Sequence, residues 1–142
     1  MVSPARLRHG ARRSGRTGAE NHERGAAVVD FALIGGLLTV IFIAILQLTL
    51  VLHVRNTLID AAASGARYGS LADRTPQDAA ARTEELIRGS LADSYSSNIS
   101  VGTSSVGGVE TLEVVVQAPL PVIGFIGPAG VMEVRGHAAL PS

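Results

Sequence analysis

The chain has 142 residues, of which 46% are hydrophobic, 4% aromatic and 17% charged, so it is long enough for one domain and too apolar for a disordered chain. It contains no cysteine, which excludes a disulfide scaffold, a thiolate metal site, a cysteine nucleophile and a lipoprotein anchor. Its 12 basic and 12 acidic residues balance, but they are unevenly distributed. Residues 1–25 contain six arginines and two acids, so the formal net charge of this N-terminal segment is +4 and that of the remainder is −4.

The first predicted element is a membrane helix. Residues 31–54 form a run of 24 residues without a formal charge, which as a helix would extend about 36 Å and exceed the ~30 Å hydrocarbon core of a bilayer. A buried core helix is one alternative, but so small a domain offers little protein to surround it. A cleaved secretory signal is another, but its apolar region would be only about 7–15 residues long. The A-x-A candidate at residues 61–63 also lies too far beyond the apolar run.

The distribution of arginine predicts the orientation of this helix. Six arginines lie in the N-terminal segment, whereas only Arg55 and Arg67 follow closely after the apolar run. Cytoplasmic segments next to membrane helices carry an excess of basic residues. We therefore expect a single-pass protein of the bacterial cytoplasmic membrane, with a cytoplasmic N terminus and an extracytoplasmic domain over residues 55–142.

Asp30 interrupts the apolar sequence near its N-terminal end. The four residues before it, 26–29, are all apolar, so the hydrophobic segment begins ahead of the acid. An ionisable group inside such a segment is costly and is commonly functional. The alternative is a carboxylate solvated among the headgroups, where it would complement the positive N-terminal end of the helix.

These residues resemble the processing motif of type IV prepilins. A basic leader ends at Arg24-Gly25, Ala26 would be the first mature residue, and Asp30-Phe31 forms an acid–aromatic pair before the long apolar helix. Family members usually carry glutamate where this chain has Asp30, which keeps the charge but shortens its reach by one methylene.

The segment beyond the apolar run is similar to that of TadE-like proteins, the pseudopilins of the tight-adherence (Flp) pilus system. That family carries an N-x-L-x-x-A-A-x-x-G-A-R-Y run where the chain leaves the membrane. The matching residues of this chain are Asn56, Leu58, Ala61, Ala62, Gly65, Ala66, Arg67 and Tyr68. The resemblance covers residues 24–72 well, and the C-terminal third only in general character.

The resemblance implies a processing site at Gly25 and Ala26 and an assembly role for Asp30 with its neighbour Phe31. Glycine has no Cβ, so a peptidase can hold the backbone in conformations that other residues avoid. Cleavage after Gly25 would leave a cationic α-amino group at Ala26. In pilin-like assemblies the acid five residues into the mature chain, here Asp30, meets the amine of a neighbouring subunit. Such pairing offsets much of the cost of burying two charges and fixes the register between helices.

The helix is expected to continue beyond the bilayer, because no proline occurs between Pro4 and Pro76. Small and apolar residues recur at spacings of three and four and form one helix packing stripe. They are Val51, Val54, Leu58, Ala61, Gly65, Tyr68 and Ala72. Small residues permit the close approach of another helix or of a sheet. Packing within the chain's own domain and helix–helix packing in an assembly are equal alternatives for this stripe.

A second, amphipathic helix is predicted from Pro76 to about Asp93. Thr75 is a suitable N-cap, proline suits the first helical position, and Asp78 completes a capping box. One face of this helix carries Ala79, Thr83, Leu86, Ile87 and Leu91.

After this helix, apolar and polar residues begin to alternate along the chain. This pattern predicts strands at residues 98–102, 109–118 and 131–138. Residues 102–108 are expected to form a flexible hairpin loop. Residues 119–130 form an apolar loop that exposes Val122, Ile123, Phe125 and Ile126 unless something covers them. We expect this loop to fold onto the helix, and the alternative is contact with a partner or with the membrane surface.

The sequence therefore predicts an α+β fold in three parts. A basic cytoplasmic leader (1–25) precedes a transmembrane helix (26–54) and an exported pilin-like domain (55–142). That domain is expected to be helical over 55–95 and to end in a short antiparallel sheet within 96–142.

The resemblance implies a minor pilin or pseudopilin, a structural component of a bacterial tight-adherence pilus or related secretion apparatus, processed after Gly25 by a prepilin peptidase. Its expected partners are the lipid bilayer, the peptidase, other pilins and pseudopilins, and the inner-membrane pilus platform. Both incorporation into the fibre and a priming role are compatible with the resemblance. The alternative is an uncleaved single-pass anchor that presents a small binding domain outside the cell.

No enzymatic activity is expected. The four histidines show no metal-ligand spacing, His53 has no serine or acid placed as a triad partner, and the strand that His137 follows contributes only Glu133 as a neighbouring acid. The sequence has no phosphate-binding loop, and the arginine-rich head lacks the interleaved aromatic residues of a nucleic-acid site. Cofactors, a metal, a nucleic acid and a small-molecule substrate are accordingly not expected.

Overall fold

The computed structural model describes residues 2–5, 16–121 and 130–142, without the side chains of residues 16 and 17. Most of the apolar loop predicted at residues 119–130 therefore lies outside the described residues. In chain order the elements are α1 (Arg16–Gly69), α2 (Pro76–Ser90), a 3₁₀ turn (Asp93–Ser96), β1 (Ile99–Val106), β2 (Val109–Pro119) and β3 (Val131–Ala139). The structure contains two compact units, Met1–Ile43 and Ala44–Ser142. A long apolar helix, a second helix and a three-stranded antiparallel sheet confirm the predicted α+β class.

The first unit consists mainly of the N-terminal part of α1, which exposes its apolar side chains. The exposed large ones are Val28, Val29, Phe31, Leu33, Ile34, Leu37, Leu38, Val40, Ile41, Phe42 and Ile43. Within the described residues, the helical segment Gly18–Gly69 is the one element long and apolar enough to cross a membrane, by length and composition. So continuous an apolar surface is unfavourable in water and favourable in hydrocarbon.

In the second unit, the C-terminal part of α1 packs against α2 and the sheet. Its first three side chains, residues 44–46, are exposed, and the first half-buried one is Gln47. Val54 and Leu58 are buried in the hydrophobic core, and the helix ends at Gly69. The unit therefore begins to cover α1 at Gln47.

The second helix begins with the predicted capping box. The backbone N–H of Thr75 donates to Asp78 Oδ2 (2.8 Å), and the backbone N–H of Asp78 donates to Thr75 Oγ1 (3.3 Å). The hydrogen bond from the Thr75 N–H is the main reason that the pKa of Asp78 is lowered from its ordinary value. The helix ends at Ser90 rather than near Asp93, and its buried side chains are Ala79, Thr83 and Ile87.

The sheet has the order β1-β2-β3, and both neighbouring pairs are antiparallel. One face of β2 and β3 supplies much of the core, with Leu112, Val114, Val116, Ala118, Met132 and Val134 buried. Burying a side chain as large as valine or leucine contributes about 1.5–3 kcal/mol relative to leaving it exposed. The alternation predicted along β2 is therefore confirmed. Its buried apolar residues pack the sheet against the helices.

The prediction of a flexible loop over residues 102–108 was wrong. Strand β1 continues to Val106, and the connection to β2 is a two-residue turn at Gly107 and Gly108, with φ of 60° and 82°. Two consecutive positive φ values are characteristic of the type I′ hairpin turn, which glycine adopts at little cost. The Thr111 hydroxyl also donates to the Ser104 carbonyl oxygen (2.9 Å). The polar residues that precede the turn therefore belong to strand β1, at the edge of the sheet.

Glycines at positions 65, 69 and 136 allow close approach between elements of the second unit. A Cβ at Gly65 would lie 2.8 Å from the Ala79 carbonyl oxygen, where α1 crosses α2. A Cβ at Gly136 would overlap the backbone of Ala62 and Ala63, where β3 crosses α1. The inner face of the sheet and the second helix can therefore approach α1 more closely than a side chain would permit.

Candidate functional site

The predicted processing site lies on the exposed helical surface of the first unit. Gly25 and Ala26 are both helical and exposed, and a Cβ at Gly25 would meet no atom within 4 Å. Nothing in the described chain therefore requires glycine at this position for packing. Glycine in a helix interior costs about 1 kcal/mol relative to alanine, so Gly25 makes local unwinding of the helix easier at the bond that follows it.

The predicted assembly carboxylate lies one helical turn after Ala26. Asp30 is exposed, and among the described residues its carboxylate makes no hydrogen bond or ion pair. Phe31 beside it is 81% exposed. An acid within an apolar helix is costly unless water or a partner compensates its charge, and the described part of the chain provides no such partner for Asp30.

Hydroxyl groups further along the apolar helix are satisfied within the helix itself. The Thr39 hydroxyl donates to the Gly35 carbonyl oxygen (2.8 Å), and the Thr49 hydroxyl donates to the Ile45 carbonyl oxygen (2.8 Å). Such bonds to the carbonyl four residues earlier allow threonine to lie in hydrocarbon without an unpaired donor. They distinguish these threonines from Asp30, whose charge no such bond compensates.

The predicted helix packing stripe lies within the second unit, where it packs internally. Val54, Leu58, Ala61 and Gly65 are buried, whereas Val51 and Tyr68 are half-buried. Leu58 has no exposed surface, and the buried face contacts α2 and the sheet. Of the two alternatives for the stripe, the structure therefore corresponds to packing within the domain. Ala72 lies beyond the end of α1.

A comparison with protein families identifies the segment that carries these features. Residues 25–67 match the family model described as TadE-like protein. The chain carries a TadE-like segment. The match begins at Gly25 and includes Asp30, the exposed apolar helix, and nearly all of the part of α1 that packs against the domain. The resemblance inferred from the sequence is thus confirmed over this range.

The TadE-like segment indicates a pilin-like protein related to pilus assembly. Together with one candidate membrane span, it is consistent with a single-pass membrane protein associated with the lipid bilayer. Searches of curated proteins and of solved structures give no match to the chain.

Sequence reasoning missed a polar network on the outer face of the sheet, opposite the TadE-like helix. His137 Nε2 lies 2.8 Å from Glu113 Oε2. Arg135 Nη1 lies 3.5 Å from Glu113 Oε1, and Arg135 Nη2 lies 2.6 Å from Glu133 Oε1. The acid that pairs with His137 is thus Glu113 of the neighbouring strand β2, not Glu133 of its own strand. The antiparallel register places Glu113 directly opposite His137, and a register between strands cannot be read from the spacing of residues along the chain.

This network lies on the exposed face of the sheet and adds side-chain contacts between β2 and β3. Hydrogen bonds from Arg135 are the main reason that the pKa of Glu133 is lowered, and the same contact raises the pKa of Arg135. The ladder continues through Gln117, which donates to Glu133 (3.1 Å) and accepts from Asn98 (3.1 Å). Within the described ranges, no three histidine or acidic side chains are grouped closely enough to hold a metal ion.

Proposed function

We propose that this chain is a minor pilin or pseudopilin that acts as a structural component in assembly of a tight-adherence (Flp) pilus or related secretion apparatus. It is made as a precursor and inserted with its arginine-rich N terminus in the cytoplasm. A prepilin peptidase then cleaves it after Gly25. The observation that carries the proposal is the TadE-like match over residues 25–67, which begins at the residue where cleavage is proposed.

The geometry around Gly25 supports the proposed cleavage. A peptidase must hold the scissile bond in an extended conformation, so the helix has to unwind around Gly25 and Ala26. Both residues are exposed, and no packing contact opposes that unwinding. The absence of a Cβ lowers the cost further, because glycine is a poor helix former and adopts conformations closed to other residues.

The charge of Asp30 supports the proposed assembly step. Cleavage creates an α-amino group at Ala26, which is cationic or nearly so at neutral pH. Asp30 has no ionic partner among the described residues, so the amine of a neighbouring subunit supplies the missing charge. An unpaired carboxylate in hydrocarbon costs several kcal/mol, and pairing removes much of that cost only when the two helices are in the correct register. Asp30 therefore acts as a register-setting group in assembly.

The exposed apolar surface of the first unit supports assembly through the N-terminal helix. Its large side chains contact no other part of the described chain closely enough to be buried, and Phe31 and Val28 are among the most exposed. Lipid covers this surface before assembly, and neighbouring helices cover part of it afterwards. This surface supports the bilayer and the helices of other pilins and pseudopilins as partners. The TadE-like segment supports the peptidase and the inner-membrane pilus platform as further partners.

The proposal is tested by Gly25→Leu, with Gly18→Leu as the matched control. Both glycines lie in the same helix, and a side chain at either would meet no atom within 4 Å. We expect Gly25→Leu to block maturation and piliation in the native host, whereas Gly18→Leu leaves both unchanged. Intact-mass measurement shows whether the leader has been removed, and electron microscopy shows whether pili are formed. Normal maturation and piliation of Gly25→Leu would contradict the proposal.

The second candidate function is an uncleaved single-pass anchor that presents a small binding domain outside the cell. One observation favours it: α1 begins at Arg16 and is continuous through the Gly25–Ala26 bond. This candidate would be supported if the protein from the unmodified host keeps its leader, and if deletion of the peptidase changes neither its mass nor its location in the membrane.

A further inference from the structure

We propose that one end of the sheet rests on the membrane surface, in contact with lipid headgroups and the adjoining part of the acyl chains. This end, termed the Pro121 end, is formed by Leu120, Pro121, Gly130 and Val131. The proposal rests on insertion of α1 into a bilayer, which the proposed function also requires, but it needs neither cleavage nor assembly. All contacts that carry it lie within the second unit, Ala44–Ser142.

The Pro121 end lies beside the residue at which the second unit begins to cover α1. The Gln47 side-chain amide donates to the Pro121 carbonyl oxygen (2.5 Å). At the opposite end of the unit, a Cβ at Gly69 would lie 2.9 Å from Leu112 Cδ2. Strand β2 therefore runs antiparallel to α1, and its last residues are level with Gln47. A bilayer boundary close to Gln47 would therefore meet the second unit at the Pro121 end.

The position of Glu133 limits how far hydrocarbon can extend along α1. The uncharged run continues to Val54, seven residues or about 10 Å beyond Gln47. Hydrocarbon reaching Val54 would also surround about 10 Å of strand β3, which is three residues from Val131 at about 3.3 Å each. It would therefore include Glu133, which is ion-paired with Arg135 on the outer face.

Submerging this part of the sheet would also expose unpaired backbone groups to lipid. Strand β3 is at the edge of the sheet order β1-β2-β3, so one row of its N–H and C=O groups has no strand partner in the described chain. Unpaired backbone groups and charges are both costly in hydrocarbon, and open sheet edges do not occur there. The hydrocarbon layer therefore ends close to Gln47.

The length of the remaining helix agrees with this boundary. Residues 26–46 number 21 and would extend about 31 Å as a helix, close to the ~30 Å hydrocarbon thickness. The side chains of residues 44–46 are exposed, as lipid contact requires. With the boundary at Gln47, the Pro121 end lies in the headgroup layer and Glu133 lies just outside the hydrocarbon.

The chemistry of the Pro121 end suits this layer. Gly130 and Val131 are exposed, Val131 by 72%, whereas Leu120 is half-buried and Pro121 is buried. None of these four residues is charged, so the exposed valine gains free energy from contact with lipid, whereas headgroups and water can satisfy exposed backbone atoms. We therefore identify the occupant of this surface as the bilayer itself.

Single-tryptophan variants provide a direct test, because the chain contains no tryptophan. Val131→Trp reports contact of the Pro121 end with lipid. Val106→Trp is the matched control, because Val106 lies at the hairpin end of the sheet and is 54% exposed. Phe42→Trp reports insertion of α1. Each full-length variant is reconstituted into vesicles of phosphatidylethanolamine and phosphatidylglycerol, with or without acyl chains brominated close to the headgroup.

We expect bromine to lower the emission of Phe42→Trp and Val131→Trp about twofold, and that of Val106→Trp hardly at all, because the hairpin end lies about 30 Å further along the sheet. Quenching at residue 42 with equal, weak quenching at residues 131 and 106 would overturn the proposal and leave membrane insertion intact. Absence of quenching at residue 42 would overturn both membrane insertion of α1 and the proposed contact of the Pro121 end with lipid. Circular dichroism verifies that the exposed substitutions leave the fold unchanged.

Discussion

Replacing Gly136 by alanine is the substitution for which the structure predicts the largest effect from a single added methyl group. Its Cβ would lie 2.6 Å from the Ala62 carbonyl oxygen and still closer to other backbone atoms of Ala62 and Ala63. These are backbone atoms in the middle of a helix, so they cannot move away as the end of a flexible side chain could. Strand β3 must therefore withdraw from α1.

The magnitude follows from what that withdrawal disturbs. Contacts between carbon and other heavy atoms are favourable near 3.5–4.0 Å, so the strand has to move by roughly 1 Å. Val134 and Met132 on the same face of β3 are buried, and they lose part of their packing when the strand moves. Overpacking of this kind costs about 1–3 kcal/mol and occasionally more. Because the obstacle is backbone, we expect Gly136→Ala to lower the free energy of unfolding by about 3 kcal/mol.

The assay is urea unfolding of the full-length protein in detergent, followed by circular dichroism. Gly102→Ala is the matched control, because this glycine also lies in the sheet but a Cβ there would meet no atom within 4 Å. The control should change stability by less than about 0.5 kcal/mol. Equal unfolding midpoints for the two variants would refute the conclusion that close approach of β3 to α1 requires glycine at position 136.

Three further predictions concern other residues. Asp30→Ala should insert into the membrane normally but abolish pilus assembly in the native host, whereas Asp73→Ala, on an exposed turn of the second unit, should leave the pilus yield unchanged. Thr75→Ala removes the N-cap of α2 and should lower the free energy of unfolding by about 1 kcal/mol in urea titrations, and no change would exclude a stabilising cap. The folded-state pKa of Asp78 is lowered, so its contribution to stability is present above its ordinary pKa and is lost as pH falls through the folded value. Asp78→Ala should therefore show a shallower loss of stability than the unsubstituted protein between about pH 5 and pH 2, and equal slopes would contradict this assignment.

Features that depend on local sequence were predictable. The apolar run up to Val54 predicts a candidate membrane span, because hydrophobicity along one segment can be read without knowledge of its neighbours in the fold. The capping box of Thr75 and Asp78 formed as expected, since both partners lie within one turn. The motif from Gly25 to Tyr68 pointed to the TadE-like family, and the family match over residues 25–67 agrees with it.

Features that depend on contacts between distant segments were not predictable. The spacing of Leu58 and Gly65 defines one face of α1, but it does not say whether that face meets its own domain or another subunit. The pairing of Glu113 with His137 depends on strand register, which one sequence does not specify. The position of the sheet against α1 likewise depends on contacts between distant segments, such as the hydrogen bond from Gln47 to Pro121 and the close approach of Gly136 to Ala62.

The polarity of the first hairpin was misleading for a different reason. Gly102, Ser104 and Ser105 have weak strand signals, yet an edge strand tolerates small and polar residues. The turn itself needed only Gly107 and Gly108, so the predicted loop was several residues too long.

The N-terminal residue of the mature protein tests the central proposal most directly. The chain is purified from membranes of its native host, and its N terminus is determined by sequencing and by intact mass. We predict that it begins at Ala26, with a free amine available to Asp30 of a neighbouring subunit. A native chain that retains Arg24 would lack that amine and would contradict the assignment as a processed pilin-like subunit.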